Sequence, residues 1–295
     1  MQHVFGSLIT AIVTPFDQNG KVNFEKLSTL TNHLADHGSD GLVVTGTTGE
    51  SPTLTFEEKV HIYKQAVGSV KGKCKIIAGT GGNSTKETIR LSQAAEKAGV
   101  HGIMLVVPYY NKPTQEGLFQ HFKAIAESIS IPIMLYNVPG RTGVNLQGET
   151  TVKLAEQFKH IVAIKEASAN LDQITYICSS TPEGFAVYSG DDSMTLPILS
   201  VGGVGVVSIS SHLIGLEMKD MIQSFFQGNV RQAIEINQKY FPLFKGLFVK
   251  TNPIPLKSAL NLTGFEVGKP RMPLLPLEDH LEAELKSLLQ DLAII

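Results

Sequence analysis

A lysine stands where a buried strand would place an apolar side chain. Residues 161–164 read Ile-Val-Ala-Ile, a β-branched run typical of a strand inside a parallel sheet, and Lys165 continues that run. An ordinary lysine at a strand end directs its ammonium group to a neighbour such as Glu166 or to solvent, and that interpretation remains open here. Burial would instead lower the pKa of the lysine, and a neutral amine can attack a ketone to form a Schiff base.

Four further polar side chains could support such chemistry. Tyr136 is either a core tyrosine or a group that moves the protons of carbinolamine formation and dehydration. Arg141 is either a surface charge or a planar ligand for a substrate carboxylate. Thr47 and Thr48 lie between two glycines, so they either cap the following helix or face a ligand from a tight loop. The elements that carry these residues decide between the interpretations.

Short β-branched runs alternate along the chain with segments of helical period. The predicted strands cover residues 7–13, 41–46, 75–80, 102–107, 131–136, 161–165, 184–189 and 203–209. Helices are predicted over residues 24–38, 55–68, 85–99 and 115–129. This alternation indicates parallel βαβ units, in either a closed barrel or a doubly wound open sheet. The count of eight strands favours the α/β class with a (β/α)8 TIM barrel.

The chain divides into two regions by its pattern. Residues 1–215 are predicted as the barrel, because no linker rich in Pro, Gly or Ser divides them. In residues 216–295 the strand signal stops, and apolar residues at helical spacing predict a C-terminal helical extension. The leucines on one face of its last predicted helix are Leu281, Leu285, Leu288 and Leu289. No residue of the extension is expected to take part in the chemistry.

The polar clusters of the chain follow the predicted strands. Parallel barrels place their active sites on the loops at the carboxyl ends of the strands. In this sequence those loops read TPF, TTGES, GGNS, PYYNKP, NVPGRT, GDDS and SS, and Lys165 ends the sixth strand. We therefore predict a site at this rim, where Thr47, Thr48, Tyr110 and Tyr136 offer hydrogen bonds but no counter-charge. The two acids of GDDS disfavour a phosphorylated substrate.

Composition argues against several kinds of partner. The net charge is −2 with no run of like charges. The sequence therefore predicts no basic surface that would attract nucleic acid or an anionic membrane. No apolar run approaches the length of a membrane span. Cys74 and Cys178 fit no zinc or redox spacing, which indicates free thiols and a cytoplasmic protein. Asp191 and Asp192 lack partnering ligands, so no metal is expected.

Five motifs occur in a fixed order: GTTGES, PYYNKPTQEG, YNVPGRTG, IKEAS and SGDD. Together with LFVKTNPIPLK they resemble the pyruvate-dependent class I aldolases, and within them the dihydrodipicolinate synthase family, over essentially the whole chain. The resemblance implies condensation of pyruvate with L-aspartate 4-semialdehyde through a lysine imine, in diaminopimelate and lysine biosynthesis and with no cofactor. It also implies a homotetramer built as a dimer of dimers.

The same resemblance implies individual roles. Lys165 would form the Schiff base, and Tyr136 would donate and accept protons. Thr48 would link Tyr136 to Tyr110, which would reach in from a neighbouring subunit, and Arg141 would hold the carboxylate of the aldehyde. The positions around bound pyruvate would be Thr47, Gly190 and Val207.

Lysine-inhibited members of that family bind their effector at a subunit interface. The matching positions in this chain are Ser51, Pro52, Phe56, Lys59, Asn83, Glu87 and Tyr109. The positions that fit the sensitive pattern are Ser51, Asn83, Glu87 and Tyr109. Phe56 and Lys59 replace histidines, and the charge of Lys59 would repel a cationic ligand. We therefore expect weak or absent inhibition by lysine.

Two alternatives remain open. A sibling lyase that cleaves a sugar acid, such as N-acetylneuraminate or a 2-keto-3-deoxy acid, would use the same pyruvate and lysine imine. The Thr47-Thr48 pair, the Tyr109-Tyr110 pair and Arg141 after VPG favour the synthase. A non-catalytic barrel that only binds a small molecule is the alternative of another class, and the joint presence of the lysine, the tyrosines and the arginine argues against it.

Overall fold

The computed structural model describes residues 3–295, which form a closed barrel of eight parallel strands in chain order. The strands are β1 (Leu8–Ala11), β2 (Gly41–Val44), β3 (Lys75–Gly79), β4 (Gly102–Val106), β5 (Ile133–Asn137), β6 (Ile161–Glu166), β7 (Ala186–Ser189) and β8 (Gly205–Ser208). β1 pairs with both β2 and β8, which closes the sheet. The predicted fold class is confirmed, and each predicted strand overlaps an observed one.

Helices follow the strands and cover the outside of the barrel. Over residues 3–295 they are α1 (Phe24–Asp36), α2 (Phe56–Val70), α3 (Thr85–Lys97), α4 (Gln115–Ala126), α5 (Pro139–Thr142), α6 (Gly148–Gln157), α7 (Leu171–Ser180), α8 (Thr195–Ser200), α9 (Ser211–Phe226), α10 (Val230–Gly246), α11 (Ile254–Leu262) and α12 (Asp279–Asp291). In that part of the chain, none of the helices has both the length and the apolar character needed to cross a membrane.

Local signals explain where the elements begin and what they bury. Thr55 starts α2 with a capping box, in which its hydroxyl accepts from the Glu58 amide while the Glu58 carboxylate accepts from the Thr55 amide. Helix α1 buries Leu27, Leu30 and Leu34, a stripe at helical spacing that packs on the barrel. Strands β2 and β5 are buried at every position, as expected for parallel strands covered on both faces.

The chain after β8 is helical. The predicted border between residues 215 and 216 falls inside α9, next to Ile214, whose backbone departs from helical geometry (φ −134°, ψ 44°). Helix α10 packs along α9, and α12 packs against α10 and α11. Of the four leucines predicted on one face of α12, Leu285 and Leu289 are buried and the other two are half-buried. Residues 1 and 2 of the predicted barrel region lie outside the described residues.

Candidate active site

Lys165 lies at the carboxyl end of β6 with its side chain inside the mouth of the barrel. Only 6% of the residue is exposed. The strand register places it beside Tyr136 of β5 and Tyr188 of β7. Its Nζ lies 4.5 Å from the centroid of the Tyr136 ring. The side chain therefore points into the barrel mouth rather than to solvent, and Tyr136 is its neighbour.

A cavity of about 160 Å³ opens at this end of the barrel. Pockets for drug-sized ligands occupy roughly 300–1,000 Å³, so this cavity suits a small substrate. Its lining residues are Ala11, Gly46, Thr47, Thr48, Met104, Tyr136, Val138, Arg141, Lys165, Ala167, Gly190, Asp191, Ile209, Phe248 and Asn252. The structure thus brings the candidate lysine, one tyrosine, both threonines, the arginine and the glycine to one place.

Burial controls the charge of Lys165. It lowers the pKa of the ammonium from 10.5 to about 8, because the charged form loses its hydration. The carboxylate of Asp192 raises this pKa, Arg141 lowers it, and Asp191 raises it. At pH 7 about one amine in ten is then neutral, against about one in 3,000 for an ordinary lysine. The two acids of the loop after β7 thus act on Lys165 in addition to the four predicted rim residues, although neither forms an ion pair with it among the described residues.

Asp192 is buried below the rim and only partly satisfied. Its Oδ2 accepts hydrogen bonds from the Ile209 amide at 3.2 Å, from the Ser210 amide at 2.9 Å and from the Ser210 hydroxyl at 2.7 Å. Its Oδ1 is buried and has no hydrogen-bond partner among the described residues. Burial raises the pKa of this carboxyl, and the hydrogen bonds oppose that effect. Across residues 3–295, no group of three or more metal-type side chains forms.

Thr47 and Thr48 both line the cavity with Tyr136, and their surroundings differ. Burial raises the pKa of the Tyr136 phenol, while the charge of Arg141 and the neighbouring Thr47 side chain lower it. The Thr48 hydroxyl instead accepts a 2.8 Å hydrogen bond from the side-chain amide of Asn252. The linking role expected of Thr48 stays a prediction. Thr47 is the threonine that lowers the pKa of the phenol, whereas Thr48 is bonded to the C-terminal extension.

Tyr110 lies on the surface of its own chain. Its side chain is 89% exposed, and its backbone occupies the left-handed region with φ of 72°. Its amide donates a long 3.4 Å hydrogen bond to the Thr142 carbonyl. An exposed aromatic side chain at the rim is compatible with a residue that enters a neighbouring subunit. That role remains a prediction.

Gly190 leaves the space that Lys165 occupies. A Cβ at this position would lie 2.7 Å from the Ala167 Cβ and 3.1 Å from the Lys165 Cε. Both distances are shorter than the roughly 3.5–4.0 Å of an ordinary carbon contact. Val207, the other position predicted to surround pyruvate, is 2% exposed within β8, and it is Ile209 that lines the cavity.

A second cavity, of about 440 Å³, adjoins the first and shares Thr47 and Tyr136 with it. The predicted effector positions that line it are Ser51, Pro52, Lys59, Asn83, Glu87 and Tyr109. Burial lowers the pKa of Lys59 in this cavity. Phe56 packs instead under the Arg90 guanidinium, 4.0 Å from its ring centroid. The positions come together, and the response to lysine stays a prediction.

The C-terminal extension contributes to the site, which the sequence analysis missed. Phe248 and Asn252 lie between α10 and α11, and both line the Lys165 cavity. The extension therefore lines the cavity, and the expectation that none of its residues takes part in the chemistry stays a prediction. Apolar periodicity shows which helix face packs, but it does not show which connecting loop reaches the rim. The available signal was the polar KTNP stretch between two helical segments.

Comparison with known sequences gives one family. The chain matches the model of the dihydrodipicolinate synthetase family over residues 4–292. It is 54% identical over 288 residues to the 4-hydroxy-tetrahydrodipicolinate synthase of Bacillus subtilis, covering 98% of this chain and 99% of that protein. The 4-hydroxy-tetrahydrodipicolinate synthase of a Cyanothece species is 55% identical over 292 residues, covering 99% of both.

Solved structures lead to the same family. The DHDPS from Cyanidioschyzon merolae with lysine bound superposes with a TM-score of 0.99 at 48% identity, covering 100% of both chains. The dihydrodipicolinate synthase from Aquifex aeolicus gives a TM-score of 0.96 at 43% identity, covering 98% of both. With sequence and fold matching over nearly their full length, this chain belongs to the dihydrodipicolinate synthetase family, as its five motifs predicted.

Proposed function

We propose that this chain condenses pyruvate with L-aspartate 4-semialdehyde, the 4-hydroxy-tetrahydrodipicolinate synthase reaction of diaminopimelate and lysine biosynthesis. The observation that carries the proposal is a buried lysine at the edge of a small cavity. Lys165 has a pKa lowered to about 8 and lies against the Tyr136 ring. A neutral amine beside a phenol is the pair that imine formation with a keto acid requires.

The first half of the reaction forms the imine. The neutral Lys165 amine attacks the ketone carbon of pyruvate, and the carbonyl oxygen takes up a proton to give a carbinolamine. That hydroxyl then leaves as water, and the iminium links Lys165 to the substrate. We assign to Tyr136 the role of supplying and recovering these protons, because its ring centroid lies 4.5 Å from Lys165 Nζ. The iminium itself accepts electrons, so the mechanism invokes no cofactor.

The second half builds the new bond. Loss of a proton from the pyruvate methyl group gives an enamine, whose carbon attacks the aldehyde of the second substrate. The amino group of that substrate then attacks the imine carbon, which closes the ring and frees Lys165. Arg141 lines both cavities, so its guanidinium is suited to hold the carboxylate of the semialdehyde at the entrance.

Tyr110 is the residue that would complete the site of a neighbouring subunit. We assign to Thr47 the role of passing protons between Tyr136 and Tyr110 of a neighbouring subunit, because Thr47 lines both cavities with Tyr136 and lowers the pKa of its phenol. The 89% exposure of Tyr110 supports a site completed by a second chain, within a homotetramer of two dimers. Thr48 then positions the loop through Asn252.

Reductive trapping tests the proposal. Borohydride added with pyruvate should leave one stable adduct, mapped by peptide mass spectrometry to Lys165. Lys257 serves as an internal control, because its pKa is also lowered to about 8 while its Nζ is paired with Glu50 at 2.6 Å. An adduct absent from Lys165, or one equally present on Lys257, would refute the proposal. Lys165→Ala should lose both the adduct and turnover.

The aldehyde is tested separately. The relatives that carry the synthase name favour L-aspartate 4-semialdehyde over the sugar-acid alternative. A coupled assay should show turnover with the semialdehyde and none with N-acetylmannosamine as the acceptor for pyruvate. The opposite preference would move the chain to the sibling lyases while leaving the Lys165 imine in place.

A further inference from the structure

Residues of the C-terminal extension bind the buried carboxylate of Glu50. Its side chain and that of Lys257 in α11 are each 1% exposed, and Lys257 Nζ lies 2.6 Å from Glu50 Oε1. The other oxygen, Oε2, accepts a 2.8 Å hydrogen bond from the Arg271 amide. Both oxygens of one rim-loop acid are therefore engaged by residues more than 200 positions later in the chain.

Glu50 ends the short loop that carries Thr47. The Glu50 amide donates to the Thr47 carbonyl at 3.0 Å, so the two residues close a single turn. Glu50 also has a left-handed backbone with φ of 56°, a conformation that a non-glycine residue adopts only when its surroundings hold it. The Thr14 hydroxyl donates to the Gly49 carbonyl at 2.7 Å, which fixes the same turn from the loop after β1.

Stability alone gives a weak reason for this arrangement. A buried ion pair loses much of its attraction to desolvation, and apolar residues of similar volume often serve stability as well or better. Lys257 also lies over the Phe16 ring at 4.1 Å, a contact that an apolar side chain would keep. What an apolar pair would lose is the ion pair that anchors the Glu50 carboxylate and the turn behind it.

We propose that Glu50 and Lys257 are positioning residues that hold Thr47 in the cavity it lines with Tyr136. The ion pair fixes the end of the turn, and the Asn252 amide fixes its middle through Thr48. The C-terminal extension thereby sets the geometry of proton transfer without touching substrate. This inference rests on the proposed function, because Thr47 and Tyr136 are the groups it positions.

The test compares the neutral double variant Glu50→Gln/Lys257→Met with the native chain. Misplacement of a catalytic group by about 1 Å costs on the order of 10- to 100-fold in rate, and we expect such a fall in kcat. The extent of pyruvate trapped on Lys165 at saturation should stay native, since Lys165 belongs to β6. Leu154→Ala in α6 is the matched control, because Leu154 is fully buried outside this network and its loss lowers Tm alone.

The possible results distinguish failure of the positioning role from failure of the proposed function. A double variant that loses Tm like Leu154→Ala but keeps kcat within about twofold of native would overturn the positioning role. If the double variant does not fold, Glu50→Asp keeps the charge but shortens the link, and a native kcat in that variant would also overturn it. A native chain with no adduct and no turnover would instead refute the proposed function.

Discussion

Gly190→Ala tests whether the space around Lys165 is required. The added Cβ would lie 2.7 Å from the Ala167 Cβ and 3.1 Å from both the Glu166 carbonyl and the Lys165 Cε. An ordinary carbon contact is about 3.5 Å or more, so the closest pair overlaps by about 0.8 Å. The backbone cannot simply retreat, because the Gly190 amide donates to the Glu166 carbonyl at 2.7 Å and the Ala167 amide donates to the Asn137 carbonyl at 2.9 Å.

The overlap predicts two effects of different size. Overpacking of this kind costs about 1–3 kcal/mol of folding stability, which a less flexible unfolded chain offsets by about 0.4–1 kcal/mol. Displacement of the Lys165 amine relative to pyruvate should lower kcat/KM by on the order of 10- to 100-fold, or about 1.4–2.8 kcal/mol of barrier. Loss of activity should therefore exceed what the loss of stability explains.

The assay is the rate of borohydride-trapped adduct formation, measured with kcat/KM and Tm. Gly68→Ala in α2 is the control, because a Cβ there meets nothing within 4 Å and should leave all three values native or raise Tm slightly. Adding Ala167→Gly to Gly190→Ala removes the 2.7 Å overlap and should restore part of the rate. Native trapping kinetics in Gly190→Ala would refute the reasoning. It would also be refuted if adding Ala167→Gly restored no part of the rate.

Three further predictions concern charge and assembly. Tyr110→Phe should lower kcat by on the order of 100-fold with an unchanged circular dichroism spectrum and Tm, and native kinetics would remove Tyr110 from the relay. Asp192→Asn removes a negative charge that raises the Lys165 pKa, so the pH below which the trapping rate falls should decrease. An unchanged or higher pH for that fall would contradict this. L-Lysine should inhibit weakly or not at all because of Lys59, and tight saturable inhibition in steady-state kinetics would show that expectation to be mistaken.

The barrel was predictable because its signals are local and repeated. The apolar run that ends at Lys165 and the Thr55–Glu58 capping box each depend on residues within one element. Repetition of strand and helix then leaves few topologies, and the parallel barrel places every strand end at one rim. Tyr136 and Lys165 become neighbours for the same reason, since adjacent strands pair them.

The path of single loops was not predictable from the sequence. Thr47 and Thr48 are identical in type, and which of them faces Tyr136 depends on a turn bounded by left-handed residues at Thr45 and Glu50. No pattern of hydrophobicity encodes that direction. The effect of Asp192 on the Lys165 pKa was not predicted for a related reason. It depends on the distance between two side chains on neighbouring loops, which the sequence spacing does not give.

Two buried lysines of this chain have the same lowered pKa, and only one is suited to act as a nucleophile. Burial lowers the pKa of both Lys165 and Lys257 to about 8. Lys257 is held by Glu50 at 2.6 Å. Among the described residues, no carboxylate oxygen comes within 4.0 Å of Lys165 Nζ, and Lys165 lines a cavity. A depressed pKa therefore identifies desolvation, and reactivity requires in addition an unpaired amine with room beside it for a carbonyl carbon.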